Sequence, residues 1–270
     1  MSEPVVSTNV TQAVAGYQER IDALQSFILH HVADGHSLAL PYLHVKLPGF
    51  MTLHGAMVIL GAVLVVVTFA ALYRKKAAVP TGITNLLEFF VVFIRDQIAC
   101  PYFGDEDGRR MTPLLCSFFF FILALNLMGL VPCLGTATAN VSVTGALAAV
   151  TFFFMILGTM FRHGVTGFFR GFVPHGVPWP VLIVLVPVEI LGLLVKAFAL
   201  TIRLFANELA GHLVVFFMLG LIVVFGMKAL PMLLMAVLIY IMELCVAFLQ
   251  AYIFTLLSAI FISQRYHPDH

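Results

Sequence analysis

Charge is scarce in this chain. Asp, Glu, Lys and Arg together make up 10% of its 270 residues, and the formal net charge is +1 with histidine neutral. That balance provides no basic face to neutralise phosphates, which excludes a nucleic-acid partner. Cysteine is equally sparse: Cys100, Cys116, Cys133 and Cys245 lie in or beside apolar segments without the paired spacing of a metal site or a disulfide framework, and they read as small core residues. Glu208 and His212 form Glu-x-x-x-His, which lacks the two histidines of the His-Glu-x-x-His metalloprotease motif. There is also no Ser nucleophile elbow, no glycine-rich phosphate loop and no second copy of the Arg203 region. Neither a metal nor a cofactor is expected.

Apolar residues dominate instead. Hydrophobic types make up 61% of the chain, and the mean hydropathy is +1.06, which together specify an all-α integral membrane protein in a lipid bilayer. The first fifty residues carry Glu3, Glu19, Arg20 and Asp22 where a signal peptide would have its apolar stretch. Region 1–50 is therefore expected to stay on the chain, outside the membrane. Within it Val14, Tyr17, Ile21, Leu24 and Ile28 recur at helical spacing and predict a short amphipathic helix.

The membrane domain is expected over 51–270. Residues 51–73 make a first span, long enough at ~1.5 Å per residue to cross a ~30 Å hydrocarbon core. Arg74, Lys75 and Lys76 follow, and by the positive-inside rule they mark the cytoplasmic side and leave the N-terminus outside. Segment 82–98 carries Glu88, Arg95 and Asp96 and reads as an interfacial amphipathic helix. After a charged turn at 104–110, residues 113–131 and 141–161 form two further spans, and the hairpin returns to Arg162 and Arg170 on the same side as the first basic cluster. Two stretches remain, 181–224 and 231–262, at ~66 and ~48 Å too long to stand upright. They tilt steeply as a hairpin against a partner, or they break at Gly192 or Gly220; composition leaves both open. The C-terminus then falls in the cytoplasm. His54, His163 and His175 stand at span ends, and Phe118 to Phe121 read as lipid-facing or packing surface.

Charges inside the long segments carry the function. An arginine at bilayer depth costs from ~3 to over ~10 kcal/mol, so Arg203 needs a reason to be there. At ~100° per residue, Glu189, Lys196 and Arg203 return to within ~20° of one another at each step of seven, and Asn207 lies ~40° from Arg203. Glu208 and His212 fall on the opposite flank, stacked four apart. On the last helix Glu243 and Gln250 again differ by seven. Titratable groups on two flanks, with a permanent cation heading one of them, suit two aqueous paths that approach the arginine without joining.

The run Arg203-Leu-Phe-Ala-Asn207-Glu-Leu-Ala-Gly211-His212, with Glu189 and Lys196 before it and Glu243 and Leu249-Gln250-Ala251-Tyr252-Ile253-Phe254 after it, resembles subunit a of the rotary F-type ATP synthase. Upstream, Glu88 after Pro80, Asn126-Leu-Met-Gly-Leu-Val-Pro132 and Thr138-Ala-Asn-Val-Ser-Val-Thr144 extend the resemblance to roughly residues 50–262. It implies a non-catalytic stator that passes protons by a ring of c subunits, with peripheral-stalk b subunits and the remaining synthase subunits as partners and ATP chemistry carried out elsewhere in the complex. Arg203 would face the rotor carboxylate. Asn207, His212, Glu243 and Gln250 would line the outer half-channel, and Glu189 and Lys196 the route to the cytoplasm. The resemblance also implies a multi-pass protein of the bacterial inner membrane, with the His212 and Glu243 pair ordered as in mitochondrial-type members. Glu208 departs from the family, which often has an apolar residue there; it either extends the outer path or pairs structurally with His212.

The chemistry fits these residue types. A proton crossing a low-dielectric region needs groups such as His and buried Glu that bind and release it near ambient pH. At the crossing point the need reverses, and arginine never gives up its proton.

Overall fold

Within an apolar stretch every backbone N–H and C=O has to be satisfied along the chain itself, and long helices are the result. The structure, a computed structural model, describes residues 15–16, 18–22, 37–40, 43–46, 52–72, 82–131, 136–170, 179–226 and 230–266. Its helices are α1 (Leu53–Leu72), α2 (Ile83–Ile94), α3 (Asp105–Gly129), α4 (Val141–Arg170), α5 (Trp179–Phe225) and α6 (Leu230–Tyr266). Five of them are long and apolar enough to cross a membrane, over Leu53–Ala71, Asp105–Gly129, Val141–Gly158, Pro180–Ile222 and Pro231–Gln264. The protein is an all-α membrane protein, and α2 is the helix outside that set of five.

Before α1 a short antiparallel ribbon pairs β1 (Ser37–Leu40) with β2 (Leu43–Lys46), Ser37 opposite Lys46. Periodicity in the sequence did not reveal it. Of the short amphipathic helix expected further upstream, residues 15–16 and 18–22 are helical, whereas Val14, Tyr17, Leu24 and Ile28 lie outside the described residues. So do Arg74, Lys75, Lys76, Cys133 and His175, and the side chains of Arg162, His163 and Arg170.

The corner from α2 into α3 differs from the sequence expectation. Helix α2 continues through a π-helical turn, Arg95–Ala99, and a short helix, Cys100–Phe103. Gly104 then takes φ 78°, and α3 begins at once with Asp105, Glu106 and Asp107 in its first turn. Three carboxylates at a helix N-terminus complement its dipole, so the charged segment expected to be a turn is helical. Pro113, expected at the start of the span, stands inside the helix. At the exposed surface of the corner, Arg95 Nε donates to Asp96 Oδ1 at 2.7 Å, and this bond holds the Asp96 carboxyl below its ordinary range.

Two backbones meet at this corner. A Cβ on Gly108 would lie 2.8 Å from Cys100 Cα and 2.9 Å from Cys100 N, atoms that cannot turn aside. Gly108→Ala is therefore expected to cost the ~1–3 kcal/mol typical of overpacking and to lower the thermal midpoint of the detergent-solubilised complex. An unchanged midpoint would contradict the close approach.

Helix α3 is central, with 56% of its span buried against 6% of that of α5. Its Phe118, Phe119 and Phe120 are buried and pack against other elements: Phe120 edge-on to Phe69 of α1 at 4.9 Å, Phe119 against Phe90 of α2, and Phe118 against Phe254 of α6. The phenylalanine run is packing surface. His54, at the start of the first span, is buried as well. Cys116 is buried but Cys245 is exposed, because it points to the outer face of α6 and away from the core.

Helix α4 bends at Gly164, where φ 71° and ψ 172° interrupt the helix. Helix α5 does not bend in this way. It runs unbroken for 47 residues with Pro187 inside it, about 70 Å of helix, so neither Gly192 nor Gly220 breaks it. Its outward face and that of α6 expose large apolar side chains from Val181 to Phe225 and from Leu233 to Leu249.

Candidate functional site

Small residues bring α6 close to its neighbours. Ala247, Ala251, Ser258 and Ala259 are buried at helical spacing along one face, and that face also carries Glu243 and Gln250, 8% and 5% exposed. Polar groups on a face that packs this tightly have to find partners across it.

The partners lie on α5, and their order shows the two helices antiparallel. Lys196 Nζ donates to Gln264 Oε1 at 2.7 Å and stands 5.4 Å above the ring of Phe261. Further along, Asn207 Nδ2 donates to Gln250 Oε1 over a long 3.5 Å. Next, the Glu243 side chain lies directly on Gly211, where an added Cβ would fall on its carboxylate. One of these rungs, Asn207 with Gln250, unites two residues that the sequence assigned to one path.

His212 and Glu208 turn away from that seam, toward the end of α3. His212 Nε2 is 3.4 Å from Glu208 Oε1, with both side chains largely buried. The same nitrogen is 2.9 Å from Thr136 Oγ1, in the turn that leads into a short 3-10 helix, Ala137–Ala139. The ring of Phe216 stacks against the imidazole. Gly129 makes the meeting possible: a Cβ there would come within 2.8 Å of Glu208 Oε1 and 2.9 Å of Thr136 Cγ2. Nearby on the packed side, Asn126 donates to the Ala247 carbonyl at 3.4 Å, while Asn126 Oδ1, Thr138 Oγ1 and Glu243 Oε2 are buried with no hydrogen-bond partner among the described residues.

Arg203 is not brought to any of these groups. It is exposed on the outward face of α5, while its neighbour Leu204 is fully buried. Among the described residues no hydrogen bond or ion pair reaches its guanidinium. Ala199, Ala206 and Ala210 are exposed on the same helix, so small side chains flank it. Glu189 is half-buried on α5, two heptads before Arg203.

Sequence reasoning missed Thr136, Gly129, Gly211 and Gln264 as members of this constellation. Each acts through a partner far away in the chain, and spacing within one helix carries no sign of it. The described residues contain no cluster of three His, Cys, Asp or Glu suited to a metal.

A sequence model of the family described as ATP synthase A chain matches residues 55–263. The chain is 41% identical over 296 residues to an ATP synthase subunit a from Anaeromyxobacter sp., covering 93% of this chain and 72% of that protein. It is 44% identical to one from Chloroherpeton thalassium, covering 93% and 79%. It is also 38% identical to the ATP synthase subunit a 2 of Chlorobaculum tepidum, covering 95% and 80%.

Proposed function

The chain belongs to the ATP synthase A chain family, and from that premise we propose that it is the stator of a proton-driven rotary motor, with two offset half-channels divided by Arg203. The partners in this reading are the c-ring on the outward face of α5 and α6, peripheral-stalk b subunits, the remaining synthase subunits that carry the ATP chemistry, and bilayer lipid. The N-terminal region 1–50 lies outside a bacterial inner membrane and the C-terminus in the cytoplasm.

One observation carries the reading. Midway along a 47-residue apolar helix stands an arginine that is exposed and without a partner among the described residues, while the titratable side chains of the same region, Glu208, His212 and Glu243, are turned inward. A cation so placed is stabilised by an anion from another subunit, and the ionised carboxylate of a c subunit supplies one.

The outer half-channel then runs past Glu208, His212 and Glu243 to the Asn207 and Gln250 rung beside Arg203. Of the buried atoms Asn126 Oδ1, Thr138 Oγ1 and Glu243 Oε2, which have no partner among the described residues, the Glu243 carboxylate is the one that can bind a proton in transit, and the other two can accept hydrogen bonds from the group that carries it. The cytoplasmic half-channel runs along the Glu189 and Lys196 side. Gln264 joins it through its bond to Lys196.

Glu243→Gln keeps the shape of the side chain and removes the exchangeable proton. Passive proton flux through membranes stripped of the catalytic sector is expected to fall about tenfold, the equivalent of ~1.4 kcal/mol on the barrier. Flux at the parental rate would count against Glu243 as a member of the path.

A further inference from the structure

Thr136 precedes the Ala137–Ala139 turn in the N-cap position, where a threonine hydroxyl ordinarily accepts a hydrogen bond from the turn's own backbone. It makes no such bond. Its carbonyl accepts from Ala139 N at 3.2 Å, so the backbone is tied down, and its hydroxyl instead lies 2.9 Å from His212 Nε2. The ordinary use of this side chain has been given up for a contact with a residue on another helix.

The second partner of that nitrogen differs from Thr136 in one chemical respect. Glu208 Oε1, 3.4 Å away, can only accept when ionised, so it favours an Nε2 that carries a proton. A hydroxyl can accept from Nε2–H or donate to the bare nitrogen, and it changes between the two by rotating about its C–O bond. Among the described residues, the other charged or titratable group facing this ring is Glu243 from α6, with Tyr240 beside it; α3 contributes Gly129, whose lack of a side chain gives Thr136 and Glu208 access to the ring.

We propose that Thr136 is a positioning residue of the proton path, keeping His212 Nε2 hydrogen-bonded in both of its protonation states so that the ring can release a proton without reorienting. The inference rests on the half-channel reading above. It assigns a division of labour: Glu208 holds the proton on the ring, Thr136 eases its departure, and Phe216 keeps the ring plane fixed.

The test compares Thr136→Val, which keeps the shape, with Thr136→Ser, which keeps the hydroxyl, in inverted vesicles containing the assembled complex. Thr136→Val is expected to lower passive and ATP-driven proton flux about five- to tenfold and to move the pH of half-maximal flux by about 0.5–1 unit toward alkaline, because only the proton-favouring partner remains. Thr136→Ser should stay within about twofold of the parent with its pH profile unmoved. Parental flux and profile in Thr136→Val would overturn the proposal, as would equal losses in both variants with no shift in the profile, which would mark a packing role. His212→Ala in the same vesicles separates the two levels: if it too leaves flux intact, the half-channel reading fails, whereas if it abolishes flux while Thr136→Val does not, only the role of Thr136 fails.

Discussion

Arg203→Ala is expected to bring ATP-driven acidification of inverted vesicles down to background while the subunit remains in the assembled complex. Both halves of that result follow from where the side chain sits. Arg203 is exposed and unpaired among the described residues, so its removal breaks no bond to any of them and opens no cavity. Taking a charge off an apolar helix face relieves a cost of at least ~3 kcal/mol, so the fold has no reason to suffer. The motor does. An arginine and a carboxylate at ~4 Å with an effective dielectric of ~20 attract by ~4 kcal/mol, and a proton-motive force of ~150 to 200 mV supplies ~3.5 to 4.6 kcal/mol per charge. The attraction is large enough to draw the proton off a rotor carboxylate and small enough for the drive to release it. On the half-channel proposal, nothing then separates the two paths without it, and protons would cross without turning the ring. Arg203→Lys is expected to recover little, since an amine can surrender its proton in an apolar setting where a guanidinium does not. Acidification that persists in Arg203→Ala complexes, with assembly verified by co-purification of the c-ring, would refute the assignment.

The sequence makes this arginine conspicuous because a charge in a long apolar run is visible without any knowledge of its neighbours. The same holds for the sum of the fold: five long apolar stretches and the excess length of the last two follow from bilayer thickness and helical rise alone. What stays hidden is whatever depends on contact across the chain. Nothing in residue type separates Gly192 and Gly220 from Gly164, yet of the three only Gly164 adopts a positive φ, at 71°. Asp105 to Asp107 look like a charged loop until Gly104 is known to turn the chain and hand them a helix N-terminus. At the site, steps of seven and four group Asn207 with Arg203 and Glu208 with His212. They say nothing of Thr136, 76 residues before His212 in the chain. Nor do they show that Asn207 faces Gln250 while Arg203 faces outward; ~40° of azimuth is enough to separate a seam residue from an exposed one.

Gly211 is the other position where one substitution should have a large effect, and here too stability and function part company. The Glu243 side chain rests on the Gly211 backbone so closely that a methyl group would overlap its carboxylate and come within 2.9 Å of Cδ and 3.0 Å of Cγ. The atoms that must yield belong to the end of a flexible side chain, in contrast to Gly108, where they are backbone. Gly211→Ala should therefore leave the complex assembled with a thermal midpoint near that of the parent, because Glu243 can swing to another rotamer for less than repacking two helices would cost. That swing takes the carboxylate out of the seam between His212 and the Asn207 and Gln250 rung. If Glu243 is the proton-transfer group of the proposed path, its displacement by about 1 Å can slow its own step by up to on the order of a hundredfold, so passive flux is expected to fall toward the level of Glu243→Gln, where the exchangeable proton is gone altogether. The combination Gly211→Ala with Glu243→Asp tests the steric account: the shorter acid no longer reaches the added methyl, and it should recover more flux than Glu243→Asp loses on its own in the parental background. Additive losses in the double variant would mean that the glycine serves the path in some way other than making room for Glu243.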